Sequence, residues 1–216
     1  LGLRLEDALG GALDGLEIDT LLSHLASADE DGLQNGHQLA RFQAVRGRVP
    51  ARRYSLANSA GICLGSGYGF DLTRPGLALY GGIARHEARG HIRQVVYPEA
   101  RVLQLRRVQR GETVGYNATW MATSERLIAT VNLGYADGYL RCHSGKGRAR
   151  WQVHELPLVG RVSMDLTTFD VSDEPDIGEG DWLAIDYDLP VVAELSGLSQ
   201  YELLTGLGAR YARVWS

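Results

Sequence analysis

Lysine is almost missing from this chain of 216 residues: Lys146 is the only one, and every other strong base is an arginine. Any chemistry that needs a lysine amine therefore has a single candidate here. Cysteine is scarce as well, since Cys63 and Cys142 are the only two and show no metal-type spacing. This usage excludes a disulfide scaffold and favours the reducing cytoplasm as the compartment.

Long apolar runs and a strong charge imbalance are also lacking. No run approaches the roughly 20 apolar residues that a membrane-spanning helix needs, and the net charge is only −4. The sequence therefore gives no reason to expect a membrane or a nucleic acid as a partner. Its 44% hydrophobic and 22% charged residues are typical of a globular protein with a sizeable core.

The first third of the chain predicts alternating helices and strands. Apolar residues at helical spacing mark "LRLEDALGGALDGLE" and "NGHQLARFQAVRGRV". Short apolar runs predict strands in "IDTLLSH", "RRYSLANSAG" and "GFDLTRPGLALYGG". Helix and strand alternating at this spacing predict parallel βα units.

After about Ile83 the pattern changes to β-branched or alternating runs separated by Gly, Asp and Pro. This pattern predicts an antiparallel β region. A late helix is expected in "VVAELSGLSQYELLTGL" and a closing strand in "RYARVW". We therefore predict two regions, 1–88 and 89–216, and find no internal repeat.

Polar and small residues follow three of the predicted parallel strands, where functional side chains of such arrays collect. They are His24, Ser59 in "ANSAG", and Arg74 with Gly76 and Leu77 in "RPGLALYGG". Backbone N–H groups beside a serine hydroxyl suit a phosphate, although "NSAG" alone could simply cap a helix. Arg74 could equally hold a ligand or pair with a nearby carboxylate such as Asp71.

Three motifs of the β region carry further candidates. Tyr116 stands among small residues in "VGYNATW", where it could pack or could touch a substrate. "GYADGYLR" contains Tyr135 and predicts a β-turn at Asp137 and Gly138. "GRVSMD" contains Met164, which could equally point into a core.

Taken together and in this order, these motifs and "SHLASADE" resemble the alanine racemases, fold-type III enzymes that depend on pyridoxal phosphate. The resemblance covers nearly the whole chain. It implies the C-terminal portion of a (β/α)₈ TIM barrel, which binds the cofactor, followed by a β-rich, mostly antiparallel domain that carries the catalytic tyrosine. It further implies a homodimer with shared active sites that interconverts L-alanine and D-alanine and supplies D-alanine for bacterial peptidoglycan.

The resemblance also implies roles for individual residues. Tyr116 matches the catalytic base on one face of the substrate, and His24 matches a histidine that links it to Arg74, which faces the pyridine nitrogen. The positions that match phosphate contacts are Ser59, Gly76, Leu77 and Tyr201. Met164 matches a residue that contacts the substrate carboxylate through its backbone N–H, and Tyr135 matches a tyrosine that lines the entrance.

Racemisation takes a proton from one face of Cα and returns one to the other, so it needs two bases. A tyrosine with an ordinary pKa of about 10 serves only if neighbouring groups stabilise its phenolate. The family's second base is the lysine that anchors the cofactor, and Lys146, in a Gly/Arg-rich turn, does not match it. We therefore expect this chain to be the C-terminal part of a racemase and inactive alone. A broad-specificity racemase and a non-catalytic assembly fragment remain the alternatives.

Overall fold

The structure is a computed structural model that describes residues 2–215, and the chain divides between Arg93 and Gln94 into two compact units. The assignment of cofactor binding to 1–88 and of the catalytic tyrosine to 89–216 concerns function and stays a prediction. Within the described residues, no helix has both the length and the apolar character that a membrane span requires.

The N-terminal unit is built on two parallel strands with helices around them. Its strands pair in the register Thr20 with Arg53 and Leu22 with Ser55, which confirms the predicted parallel βα arrangement. The elements are β1 (Thr20–Leu22), β2 (Arg53–Ser55), α1 (Leu5–Leu9), α2 (Leu33–Arg46) and α3 (Ser59–Cys63). A single parallel bridge between Asn58 and Arg74 joins a third segment to the end of β2.

A small aromatic core holds this unit together. Phe42 of α2 packs edge-to-face on Tyr54 of β2, with ring centroids 6.5 Å apart, and Leu56 is fully buried beside them. Edge-to-face contact is a favoured aromatic geometry because it sets the positive ring edge against the negative face. The core thus fixes the strand end that carries the polar residues 55–59.

Two predicted elements of this unit are shorter than expected. The first helix ends at Leu9, because Gly10 and Gly11 follow it and Gly11 adopts φ +96°, which a helix cannot contain. The strand expected in "GFDLTRPGLALYGG" is reduced to the bridge at Arg74, since Pro75 has no N–H to continue the pairing. A 3₁₀ turn, Leu77–Tyr80, takes its place.

The C-terminal unit contains the predicted antiparallel sheet, whose strands are β3 (Glu99–Val108), β6 (Arg126–Val131), β7 (Arg148–Trp151), β8 (His154–Pro157), β9 (Thr167–Asp170) and β10 (Trp182–Ile185). They lie in the order β8-β7-β10-β3-β6-β9. A separate hairpin pairs β4 (Thr113–Val114) with β5 (Trp120–Met121). The helices are α4 (Leu189–Ser196) and α5 (Gln200–Gly206).

The larger core of this unit lies between one face of the sheet and the helices α4 and α5. Ala100 and Val102 alternate inward along β3 and meet Ala129 and Val131 of β6, all almost fully buried. Such alternation is the pattern that a strand with one buried face requires. The sheet gives the loops between its strands a rigid base.

The late helix and the closing strand differ from expectation. Gly197 adopts φ +73° and ends α4, and Ser199 starts α5 through reciprocal hydrogen bonds with Glu202, so one predicted helix is two. The segment 210–215 forms no strand. Its Val214 side chain is largely exposed, and no strand of the described chain pairs with this segment.

Candidate active site

Arg74 is held rigidly at the strand ends of the N-terminal unit. Its Nε donates to the Ser55 hydroxyl at 2.9 Å, and its Nη2 donates to the carbonyls of Leu56, at 3.2 Å, and of Ser23. Its Nη1 lies 3.5 Å from Nδ1 of His24. These neutral partners fix the guanidinium plane and leave its positive charge uncompensated.

The alternative of a salt bridge between Arg74 and Asp71 is not what the structure shows. Asp71 accepts from the backbone N–H of Tyr54 at 2.9 Å and lies 3.8 Å from the guanidinium of Arg46. Across residues 2–215, no carboxylate lies within 4.0 Å of Arg74. Charge on Arg74 is therefore available for a ligand.

His24 lies between Arg74 and Asn58. Its Nε2 is 3.4 Å from the side-chain amide nitrogen of Asn58, whose oxygen accepts from Gly61 N–H at 2.8 Å. Both neighbours are therefore donors, and a neutral imidazole can accept from only one of them at a time. The ring thus joins the two strand ends without being locked into one hydrogen-bonding pattern.

Ser59 joins the end of β2 to the loop after Arg74. Its buried hydroxyl accepts from the backbone N–H groups of Gly76, at 3.0 Å, and Ala78, at 3.1 Å. The hydroxyl keeps its own proton to donate. The helix-cap interpretation of "NSAG" is confirmed, since Asn58 caps α3, whereas the role of Ser59 in binding a phosphate stays a prediction.

Tyr116 does not pack into the core of the C-terminal unit. It lies in the turn between β4 and β5, and 67% of its surface is exposed. The base of this hairpin is fixed, because a Cβ on Gly115 would lie 3.0 Å from the backbone nitrogen of Arg161, and one on Gly160 would lie 2.8 Å from the Val114 carbonyl. Only glycine permits this close backbone contact.

The backbone beside Tyr116 is strained. Asn117 and Ala118, directly after Tyr116, adopt φ +62° and +49°, and Gly115, directly before it, adopts φ +80°. Asparagine tolerates the left-handed region, whereas alanine pays about 1 kcal/mol or more there. Such strain persists where the surrounding structure dictates it and is common at functional sites.

Tyr135 and Met164, which are 29 residues apart, come together in the C-terminal unit. The N–H of Tyr135 donates to the Ser163 carbonyl at 3.0 Å, and that of Ala136 donates to the Met164 carbonyl at 2.9 Å. Gly134 makes this possible, because a Cβ there would lie 2.5 Å from the Ser163 oxygen. The Met164 side chain is half exposed, not in the core, and its N–H has no acceptor within 2–215.

A cavity beside the Tyr116 hairpin was not foreseen from the sequence. It has a volume of about 620 Å³, and two arginines line it, Arg141 and Arg161, together with Ser144 and Trp120. Arg161 stands in "GRVSMD" and Arg141 in "GYADGYLR", the motifs whose predicted site residues are Met164 and Tyr135. Two guanidinium groups make this cavity attractive to an anion.

The two remaining candidates lie elsewhere in the same unit. Tyr201 is half exposed on the first turn of α5. Lys146 lies in a turn, where its N–H donates to the His143 carbonyl at 2.9 Å. Neither the burial nor the setting of Lys146 suggests a catalytic amine.

The fold and these clusters define a two-part chain: a parallel βα unit with an arginine and a serine-bound loop, and an antiparallel unit with an exposed tyrosine. Models of the alanine racemase N-terminal and C-terminal domains match residues 2–84 and 95–215. The chain belongs to the alanine racemase family.

Curated relatives of this chain are alanine racemases. The alanine racemase of Acidiphilium cryptum is 48% identical over 206 residues, which is 94% of this chain and 58% of the relative. The biosynthetic alanine racemase of Agrobacterium fabrum is 41% identical, over 99% of this chain and 60% of its own length. The chain thus spans about three fifths of these relatives.

Solved structures agree with the fold. Alanine racemase from Bartonella henselae, solved with covalently bound pyridoxal phosphate, has a TM-score of 0.83 and 37% identity, over 97% of this chain and 60% of its own. The biosynthetic enzyme of Pseudomonas aeruginosa has a TM-score of 0.77 and 34% identity, over 94% and 58%.

Proposed function

We propose that this chain forms part of a pyridoxal-phosphate-dependent alanine racemase, with Tyr116 as the base on one face of the substrate Cα. The observation that carries this proposal is the setting of Arg74, a rigidly held guanidinium without a carboxylate partner. A carboxylate facing the ring would favour a protonated pyridine nitrogen, whereas an arginine can only donate to an unprotonated one. An unprotonated ring nitrogen makes the cofactor a weaker electron sink. This suits an enzyme that only moves a proton and must suppress side reactions.

The residues of the N-terminal unit fit the cofactor at both of its ends. The Ser59 hydroxyl has its own proton to donate and holds the N–H groups of Gly76 and Ala78 within 3.1 Å of its oxygen. A bound phosphate would accept from the hydroxyl and would draw these N–H groups from Ser59 Oγ to its own oxygens. Arg74 would donate to the ring nitrogen, and His24 would connect it to the substrate side. When bound, pyridoxal phosphate supplies the electron sink that makes the α-proton acidic.

Tyr116 has the exposure and the fixed backbone position that suit the proposed base. Its side chain is exposed on a hairpin whose base is fixed by Gly115 and Gly160, so a substrate can approach the phenol while the backbone position stays constant. The tyrosine would take the α-proton on its oxygen or return one to that face. Met164 N–H, without an acceptor, would receive the substrate carboxylate, and Arg141 and Arg161 would attract the anionic group towards the site.

The second base is proposed to come from outside the residues present here. The anchoring lysine of the family has no counterpart, because Lys146 occupies a turn of the β unit. We accordingly expect the 216 residues alone to be inactive. The N-terminal unit is proposed to be part of a (β/α)₈ barrel, and the whole protein a cytoplasmic homodimer that supplies D-alanine for peptidoglycan.

The test is Tyr116→Phe in the full-length protein. The cofactor should remain bound, as seen in visible absorbance, while turnover should fall by about 10²–10⁴-fold because one acid–base group is lost. Exchange of the α-proton with deuterated solvent should fall more for one enantiomer than for the other.

Tyr97→Phe is the matched control. Tyr97 is another exposed tyrosine of the same unit, and its hydroxyl donates to the Gln94 carbonyl at 2.8 Å. This variant should retain normal turnover. A mild and equal loss for both enantiomers in Tyr116→Phe would show that Tyr116 is structural.

A further inference from the structure

Arg210 links three segments that the proposed site draws on. It follows α5, which carries Tyr201, and its guanidinium contacts two carboxylates from different loops. Its Nε lies 3.2 Å from Oδ1 of Asp137, two residues after Tyr135, and its Nη1 donates to Oδ1 of Asp165 at 2.6 Å. Asp165 is the residue next to Met164.

The first of these carboxylates organises the Tyr135 turn. Asp137 is almost fully buried, and its Oδ2 accepts from the N–H of Gly134 at 2.9 Å, which closes the turn around Tyr135. Its other oxygen faces Arg210. A buried carboxylate needs a charged partner, so Arg210 also fixes the position of this turn relative to the residues after α5.

The second carboxylate lies on the Met164 segment. Asp165 and Arg210 are both about half exposed, and an ion pair of that kind contributes little to stability. The pair between Arg210 and Asp165 therefore acts by positioning the Met164 segment. The guanidinium is planar and holds its two carboxylates at a fixed separation, so the Tyr135 turn and the Met164 segment are connected both by backbone hydrogen bonds and through Arg210.

We infer that Arg210 is a positioning residue for substrate binding: by bridging Asp137 and Asp165 it aligns the Met164 N–H with the substrate carboxylate and sets Tyr135 beside it. This inference rests on the proposed function. The N–H contact is made equally to the bound substrate and to the transition state. Its loss therefore raises KM and leaves kcat nearly unchanged.

The experiment is steady-state kinetics on full-length Arg210→Met, with Arg210→Lys and Asp165→Asn beside it. Misaligning a hydrogen bond to a charged group should raise KM for both L-alanine and D-alanine roughly 10-fold, with kcat within about 3-fold. Arg210→Lys keeps the positive charge but lacks the planar guanidinium that donates towards both carboxylates, so it should recover only part of the lost substrate affinity. Because Asp165→Asn removes the negative charge that strengthens the same link, it should raise KM too, and combining it with Arg210→Met should add little further.

Arg107→Met is the matched control, because Arg107 is an exposed arginine that pairs with Glu125 at 2.6 Å on the sheet. It should leave KM unchanged. A second readout does not depend on activity: in the protein without cofactor, the amides of Tyr135 and Ala136 should exchange hydrogen faster in Arg210→Met than in the control variant.

Unchanged KM in Arg210→Met, or unchanged amide exchange at 135–136, would overturn the inference. A fall in kcat as large as the rise in KM would also overturn it, since that result means that the substitution disturbs the catalytic groups as well as the carboxylate contact. If Arg210→Met fails to fold, the surface variant Asp165→Asn decides alone, and normal KM there refutes the positioning role. Failure of the proposed function has a different signature, because Tyr116→Phe would then remain active.

Discussion

Acid should destabilise the C-terminal unit through one residue, His143. Its ring is 98% buried and stacks on Tyr139, with ring centroids 4.1 Å apart. Neither its Nε2 nor the Tyr139 hydroxyl has a hydrogen-bond partner within residues 2–215. Burial lowers the pKa of His143 to about 4, since nothing nearby compensates an imidazolium.

The lowered pKa of His143 determines how the free energy of unfolding changes with pH. In the unfolded chain the histidine takes up a proton near pH 6.5, whereas in the fold it stays neutral down to about pH 4. The unfolded state therefore binds more protons between these values, and stability falls as the pH drops through this window. The neighbouring tyrosines add nothing there, because burial raises the pKa of Tyr139 and raises that of Tyr187 to about 12.

The expected magnitude is large. With these two pKa values, linkage predicts that about 2 kcal/mol of unfolding free energy is lost between pH 7.5 and pH 5 through this residue alone. The assay is urea unfolding of the full-length protein at both pH values, monitored through tryptophan fluorescence. His143→Phe keeps the ring stack without the titration, so its stability should fall by about 2 kcal/mol less than that of the unmodified protein.

His154→Gln is the control, since His154 is half exposed and already lies 2.9 Å from a carboxylate oxygen of Glu174. It should keep most of the acid sensitivity. If His143→Phe and the unmodified protein lose stability in parallel from pH 7.5 to pH 5, the reasoning from burial is refuted.

Three further predictions concern the proposed site. Ser59→Ala should weaken pyridoxal phosphate binding about 10-fold in an absorbance titration, because one hydroxyl hydrogen bond to a charged group is lost; unchanged affinity would contradict the phosphate role. Gly134→Ala should cost about 1–3 kcal/mol of unfolding free energy by overpacking, whereas Gly67→Ala, with open space around it, should be nearly neutral; equal effects would refute the close packing. Mixing full-length Tyr116→Phe with a variant that lacks the anchoring lysine should restore part of the activity through dimers with one intact site, and mixed dimers that stay inactive would refute a shared site.

The sequence by itself determined the features that depend on neighbours along the chain. Apolar spacing predicts α2, and alternation predicts the antiparallel strands, because each buries one face of a regular element. Ser199 and Glu202 have the spacing of a capping pair, although the sequence prediction ran a single helix across them. The ordered motifs around Arg74 and Tyr116 also carry the family, since they keep residue types and spacing together.

Only the tertiary structure decided which distant groups meet. Asp71 is three residues from Arg74, yet it pairs with Arg46, and Arg74 instead contacts Ser55 and His24, which come from other strand ends. Local spacing cannot rank such partners, because their distances depend on how the strands are arranged.

The same reason explains the other surprises. Arg210 meets Asp137 and Asp165 across 73 and 45 residues, so no sequence window contains the link, and its segment was predicted instead as a strand. The residues that follow His143 in the sequence, Ser-Gly-Lys, are typical of an exposed turn. In the structure, however, its ring packs against those of Tyr139 and Tyr187. Burial is a property of the whole packed unit, and it is burial that sets the charge of His143.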